Sequence, residues 1–197
     1  KRVEHGVFGY GKVEDSYYDA FFAWQKKHHG IDLVKENVRF ATGVVGSLYT
    51  AIRAYTKENA SIIICPPVYY PFYDAILNTG RKLVTCDLDN NKGHYSLNLD
   101  KFEKEISDNN VEMFILCSPH NPVCRVWSEE ELNAMLDICH RHGVLVVSDE
   151  IHQDFTYGEI PFISSAIVKG GKYRDMLIIL NSGSKTFNLA GLIHSHV

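Results

Sequence analysis

The residues able to do chemistry gather directly behind apolar runs. Asn181-Ser182-Gly183-Ser184-Lys185-Thr186 follows the run Met176 to Leu180, and Asp149-Glu150-Ile151-His152 comes just after Val144 to Val147. Ser118-Pro119-His120-Asn121-Pro122 follows Val111 to Cys117, and Pro66-Pro67-Val68-Tyr69-Tyr70 follows Ser61 to Cys65. A primary amine, carboxylates, imidazoles, a carboxamide and phenols are the working groups of acid–base and nucleophilic chemistry. In an open α/β sheet, ligands bind beyond the carboxyl ends of the strands. One polar strand end is a loop; four together suggest a site.

Other motifs weaken on inspection. Gly183-Ser184-Lys185-Thr186 resembles the tail of a phosphate-binding P-loop, but its Lys does not directly follow a Gly and no Gly stands at the required distance upstream. Gly6-Val7-Phe8-Gly9-Tyr10-Gly11 has neither the spacing of the dinucleotide fingerprint nor a strand before it. Ten histidines include His28-His29, His140-x-His142 and His194-x-His196. They lie on separate elements without clustered Cys or carboxylates and read as surface or core residues. Asp149-Glu150-x-His152 alone has the make-up of half a metal site, an alternative that stays open on spacing.

The elements that must position these groups are readable from periodicity and punctuation. Asp15 and Ser16 are candidate caps for a helix with Tyr17, Phe21 and Trp24 on its apolar stripe and Gly30 as its stop. Val38 to Ala41 reads as a short strand, and Thr42-Gly43 opens a helix to about Thr56. Ser61 to Cys65 is a strand, Pro71 to Asn78 a helix closed by Gly80, and Lys82 to Leu88 a further strand. Asp100 with Glu103, and Ser128 with Glu131, have capping-box spacing before two more helices; Gly143 stops the second. Helices alternating with apolar strands predict an α/β sandwich with a mainly parallel sheet, as a three-layer α/β/α arrangement.

Composition is that of an ordinary soluble domain: 45% apolar, 22% charged, with 20 basic against 24 acidic residues in 197. No stretch is dominated by Lys and Arg, so nothing points to nucleic acid or a membrane surface. Five cysteines without a Cys-x-x-Cys read as reduced, mostly buried thiols of a cytosolic protein. The chain begins without Met and stops within Ile193-His194-Ser195-His196-Val197, which reads as the start of a strand. An excised domain is the expectation.

At the residues behind the strands the sequence resembles the cystathionine β-lyase-like branch of the fold-type I pyridoxal-phosphate (PLP) enzymes, relatives of the class I and II aminotransferases. The matching pieces are Pro66-Pro67-Val68-Tyr69-Tyr70-Pro71-Phe72, Pro119-His120-Asn121-Pro122-Val123, Arg125-Val126-Trp127, Ser148-Asp149-Glu150-Ile151-His152 and Ser184-Lys185-Thr186-Phe187-Asn188-Leu189-Ala190-Gly191-Leu192. Any one is weak; five in order along essentially the whole chain is a strong signal.

The resemblance implies that residues 1–197 form the PLP-binding large domain, with an N-terminal arm and a C-terminal small domain absent, so that the piece as it stands is expected to be inactive. It implies Lys185 as the catalytic, cofactor-carrying amine, Asp149 facing the pyridine nitrogen and Asn121 donating to the phenolic O3′. Tyr69 would stack on the ring, and His152 stands where a second O3′ partner would be. Val44 and Val45 would cradle the phosphate, helped by Ser182 and Ser184. Tyr10 would be lent to a neighbouring subunit in a homodimer with shared sites. For Asp149 a turn-capping role, for Asn121 a simple turn, and for Tyr69 and His152 a core position remain the alternatives.

The sequence departs from the family pattern at Ser118, Gly46, Cys124 and Ile193, the last replacing an Arg common in aminotransferases. A Cys in a left-handed turn costs ~1 kcal/mol, so its loop is expected to be altered. The implied reaction is carbon–sulfur β-elimination on cystathionine or related cysteine S-conjugates. The alternatives are an aminotransferase and a catalytically impaired regulator of the same fold.

Overall fold

Side chains along a strand alternate between faces, and here the alternation divides the apolar residues into two cores. In the computed structural model, which describes residues 2–197, Ile63, Phe114, Leu116 and Val146 pack on one side. Ile62, Ile64, Met113, Ile115 and Val147 pack on the other. The strands that carry them are β2 (Ser61–Ile64), β3 (Lys82–Thr85), β6 (Val111–Cys117), β7 (Leu145–Asp149) and β8 (Leu177–Leu180), in the order β3-β2-β6-β7-β8. Every pairing among them is parallel, as expected for strands apolar on both faces.

Helices cover each side. Leu48 and Ile52 of α3 (Val44–Tyr55) and Phe72 and Ile76 of α4 (Pro71–Leu77) complete one core. Phe102 and Ile106 of α5 (Leu99–Asp108) and Leu132, Met135 and Leu136 of α6 (Glu129–His142) complete the other. Each such side chain, fully buried, contributes about 1.5–3 kcal/mol. This is the three-layer sandwich anticipated above.

The chain divides into two compact units, one ending at Val38 and one spanning Arg39–Val197; the sandwich belongs to the second. The first contains α1 (Arg2–His5) and α2 (Asp15–His29). Helix α2 stops at Gly30, whose φ of 68° is left-handed, but its N-cap is Glu14, without a side-chain cap bond, rather than Asp15 or Ser16.

Local signals held where they were unique. Ser128 and Glu131 form the capping box in full, and Gly143 closes α6 with φ 66°. The capping box expected of Asp100 and Glu103 does not form: the N-cap of α5 is Asn98, whose side chain accepts from the Lys101 N–H at 3.0 Å. Glu103 instead bonds Arg141 and His142 of α6, at 2.8 and 2.9 Å. The predicted strand to Leu88 stops at Thr85. An unanticipated hairpin follows, β4 (Asp89–Asn91) with β5 (His94–Ser96), turning through Lys92 and Gly93, both at positive φ.

The terminal residues form a strand as expected: β9 (Ser195–His196) pairs antiparallel with β1 (Phe40–Ala41). His196 also bridges Asn181, just past β8, and Ser195 Oγ lies 3.0 Å from Ser47 Oγ of α3.

The turn between β6 and α6 runs through Asn121 to Cys124 and is closed by backbone bonds between His120 and Arg125 at 2.7 and 3.3 Å. Cys124 there takes φ 55°, the left-handed region that disfavours any residue with a Cβ. Replacing Cys124 with Gly should raise stability by roughly 0.5–1 kcal/mol, since relief of that cost exceeds the extra freedom of an unfolded Gly. Chemical denaturation of the two proteins measures it; a less stable glycine variant contradicts the account.

Candidate functional site

Parallel register brings the strand ends level. Cys117 of β6 stands opposite Asp149 of β7, and Asp149 opposite Leu180 of β8, so the loops that follow emerge at one edge of the sheet. There they surround a cavity of about 410 Å³. Its wall includes Tyr69, Asn121, Asp149, His152, Ser184 and Lys185, together with Val44, Val45 and Gly46 at the start of α3. The first helical N–H groups have no partner within the helix, which makes a helix start suited to an anion.

Of the ten residues singled out in the sequence, eight line this cavity: Lys185, Asp149, Asn121, Tyr69, Val44, Val45, His152 and Ser184. Ser182 does not. Its hydroxyl donates to the His194 carbonyl at 2.7 Å and accepts the Ser184 N–H at 3.0 Å, so it shapes the turn that presents Ser184 and Lys185. Tyr10 is exposed and lies in the first unit. Thr42, Cys117, Ile151, Ala190 and His194 also line the cavity and were given no site role from the sequence; Ile193, noted only as standing in place of an Arg, lines it too. Cys117 carried a signal, as the last residue of an apolar strand that feeds polar residues. His194 carried none beyond its pairing with His196.

The Asn121 turn is held from two sides. His120 is 2% exposed, and its Nε2 donates to the Pro67 carbonyl at 3.0 Å, tying this turn to the loop that carries Tyr69. Burial lowers the His120 pKa to about 4, so it is neutral near pH 7 and acts as a structural donor. Behind it, Trp127 packs edge-on at 5.5 Å and donates to the Cys117 carbonyl at 3.0 Å. Arg125 lies 4.3 Å over the Trp127 ring and pairs with Glu131, the same residue that caps α6. The peptide bonds before Pro67, Pro119 and Pro122 are cis. No described residue hydrogen-bonds the Asn121 side-chain amide, which lines the cavity.

Asp149 is 5% exposed. One oxygen accepts the Ile151 N–H at 3.1 Å, and no described residue bonds the other. Burial pushes its pKa up to about 7. The Ile151 N–H and the Lys185 charge oppose that rise, while neighbouring Glu150 adds to it. Glu150 is fully buried, its Oε1 accepting from Ser148 Oγ and the Ser165 N–H at 3.0 and 2.9 Å. Burial, and then the Lys185 charge, lower the pKa of His152. Burial is also the main cause that raises the Tyr69 phenol, with Tyr70 and Asp149 adding to it. Lys185 is thus electrostatically coupled to both Asp149 and His152 across the cavity. Among the described residues no cluster of three or more His, Cys, Asp or Glu gathers to hold a metal ion, and no helix is long and apolar enough to cross a membrane.

An amine, a nearly buried acid, a carboxamide and a helix start thus surround one cavity. Residues 4–193 match the family Aminotransferase class I and II, and the chain belongs to that family. It is 38% identical to cystathionine beta-lyase PatB of Bacillus subtilis (strain 168), over 98% of this chain and 49% of that one. It is 33% identical to Protein MalY of Escherichia coli (strain K12), over 98% and 48%. The PLP-bound C-S lyase from Staphylococcus hominis superposes with a TM-score of 0.94 at 34% identity, over 99% of this chain and 49% or 50% of that one. The chain spans about half the length of the curated relatives it matches. The resemblance stated from the motifs is therefore that of the family to which the chain belongs.

Because burial raises Asp149 from its ordinary 3.8 to about 7, the fold favours the protonated acid. Its contribution is intact below about pH 4 and is lost as pH rises through 7. The ligand-free protein should therefore lose at most about 4 kcal/mol of stability across that window from this group. Asp149→Asn, which cannot ionise, should flatten the decline, leaving the part that comes from Glu150. Denaturant midpoints from pH 4 to 8 measure this; parallel curves for both proteins refute it.

Proposed function

We propose that this chain is the cofactor-holding large domain of a PLP-dependent carbon–sulfur β-lyase acting on cystathionine or related cysteine S-conjugates, giving pyruvate, ammonia and a thiol. The observation that carries the reading is the open oxygen of Asp149 in a cavity it shares with Lys185. A buried carboxylate with one oxygen unpaired and aimed into a cavity suits a protonated ring nitrogen, and so the residues present fit the cofactor. The family and the carbon–sulfur lyases among its similar proteins support the same reading.

The bound cofactor supplies an aldehyde that takes up the substrate's amino group and a cationic ring that accepts its electrons. The protein does the rest. Asp149, ionised, would keep the ring nitrogen protonated. Asn121 would donate to the phenolic oxygen, with His152 as a second partner there. Tyr69 would pack on the ring, worth about 1 kcal/mol beyond the area it buries. The N–H groups of Val44 and Val45 and the Ser184 hydroxyl would hold the phosphate, while Ser182 sets the turn. Lys185 would hold the cofactor and, when free, its amine would take the proton from Cα. The electron pair left at Cα would expel the sulfur from Cβ as thiolate, which takes up a proton, and one water added to the remaining unsaturated amino acid would give pyruvate and ammonia.

Tyr10, exposed in the first unit, would serve the phosphate of a second subunit in a homodimer with shared sites. The reduced thiols, four of them buried, suit a cytoplasmic protein.

Given cystathionine, the full-length protein should release pyruvate and free thiol in equal amounts. Lys185→Ala should lower that rate by at least about a thousandfold, as removal of a covalent and proton-moving group does. Asp149→Asn should weaken both cofactor binding and rate. Amino transfer to a keto acid without pyruvate would replace the lyase reading with the aminotransferase one. Cofactor bound without either reaction would leave a regulator of the same fold.

A further inference from the structure

The phosphate end of the cavity is short of positive charge. A phosphate monoester carries close to two negative charges near neutral pH, and backbone N–H groups and hydroxyls offset only part of that. Among the residues lining the cavity, the side chains able to become cationic are Lys185, His152 and His194. Lys185 is committed to the aldehyde in the reading above. His152 follows Asp149 by three residues, and both burial and the Lys185 charge disfavour its protonation. His194 has no such commitment.

Its position fits the task. His194 Nε2 lies 3.5 Å from where a Cβ on Gly183 would stand, so the imidazole rests over the turn that links Ser182 to Ser184. A side chain at residue 183 would meet the imidazole at ordinary van der Waals distance and Phe187 more tightly, at 3.1 Å. The preceding residue, Ile193, takes the left-handed conformation with φ 44°. Its Cγ2 reaches within 3.6 Å of where a Cβ on Gly43 would stand. The 193–194 pair is therefore set against both halves of the phosphate cradle, the segment before α3 and the turn before Lys185.

The ring is also held in place. Phe40 of β1 stacks nearly parallel to it, with centroids 6.4 Å apart and planes at 13°. Ser182 Oγ anchors the His194 backbone carbonyl at 2.7 Å. No described residue hydrogen-bonds the imidazole itself.

We propose that His194 is a further cofactor-binding residue, its imidazole donating to the phosphate group and, when protonated, supplying the positive charge that the cradle otherwise lacks. The assignment rests on the PLP reading and extends it to a residue with no other role in the site. It takes the phosphate as its ligand, whether carried by PLP or free in solution.

The test compares PLP with pyridoxal, which lacks the phosphate, in the full-length protein stripped of cofactor, following the visible absorbance of the bound aldehyde. His194→Ala should weaken PLP at least about tenfold, the scale of one charge-assisted hydrogen bond, while leaving pyridoxal affinity within about twofold. Inorganic phosphate added to the pyridoxal-loaded protein should bind more weakly to the variant. His194→Lys should recover most of the PLP affinity. Equal weakening of PLP and pyridoxal would mean that His194 only shapes the cavity, and unchanged PLP affinity would mean that it does not touch the phosphate; either overturns the assignment. A rise in KM for cystathionine with PLP affinity intact would move His194 to the substrate and overturn it as well. A parent protein that bound neither aldehyde would instead bring down the cofactor reading, and this inference with it.

Discussion

Burying a carboxylate without a partner is among the more expensive things a fold can do, and the sheet here does it at the end of its second-to-last strand. Asp149 is 5% exposed, and among the described residues its carboxylate is bonded only by the Ile151 N–H, which satisfies one oxygen. Nothing in the packing of β7 demands an acid at that place. An apolar residue would suit the neighbouring Cys117 and Leu180 better. A ligand that entered the cavity with a positive charge would offset that cost. Such a ligand would bring the pKa of Asp149 back down and recover the free energy that its absence withholds.

The rest of the molecule fixes that one charge in a usable setting. Parallel pairing holds β6, β7 and β8 level, so the Asn121 turn, Asp149 and the Lys185 turn leave the sheet together. The Asn121 turn is then braced by His120, Trp127 and Arg125, the last tied to the Glu131 that caps α6. The return of the chain as β9 against β1 closes the far side and brings His194 to the cavity. Local cap, aromatic contact and sheet register thus converge on the same few side chains.

Much of this was legible in the residues alone, for identifiable reasons. The apolar strands announce themselves because both faces are covered, and the polar residues behind them stand out by contrast. Ser128, Glu131 and Gly143 bound their helix unambiguously because a cap needs only near neighbours in sequence. Asp100 misled because Asn98, two residues earlier, is an equally good acceptor and the choice is made by where the chain enters the helix. The hairpin over 89–96 escaped because β4 is exposed along its length and shows no apolar alternation. His194 escaped for a different reason. Its relevance depends on β9 pairing with β1 and on a left-handed backbone at Ile193, and neither leaves a mark in composition or spacing.

The central claim is that Lys185, and no other lysine, is the amine that faces Asp149 across the cavity and carries the cofactor. Reduction of the PLP-loaded full-length protein with borohydride, followed by peptide mapping, locates the bond directly. The account predicts a single pyridoxyl group on the peptide containing Lys185, and less of it when Asp149 is replaced by Asn at a cofactor concentration that just saturates the parent. A pyridoxyl group on a different lysine, or label spread over several, would contradict it.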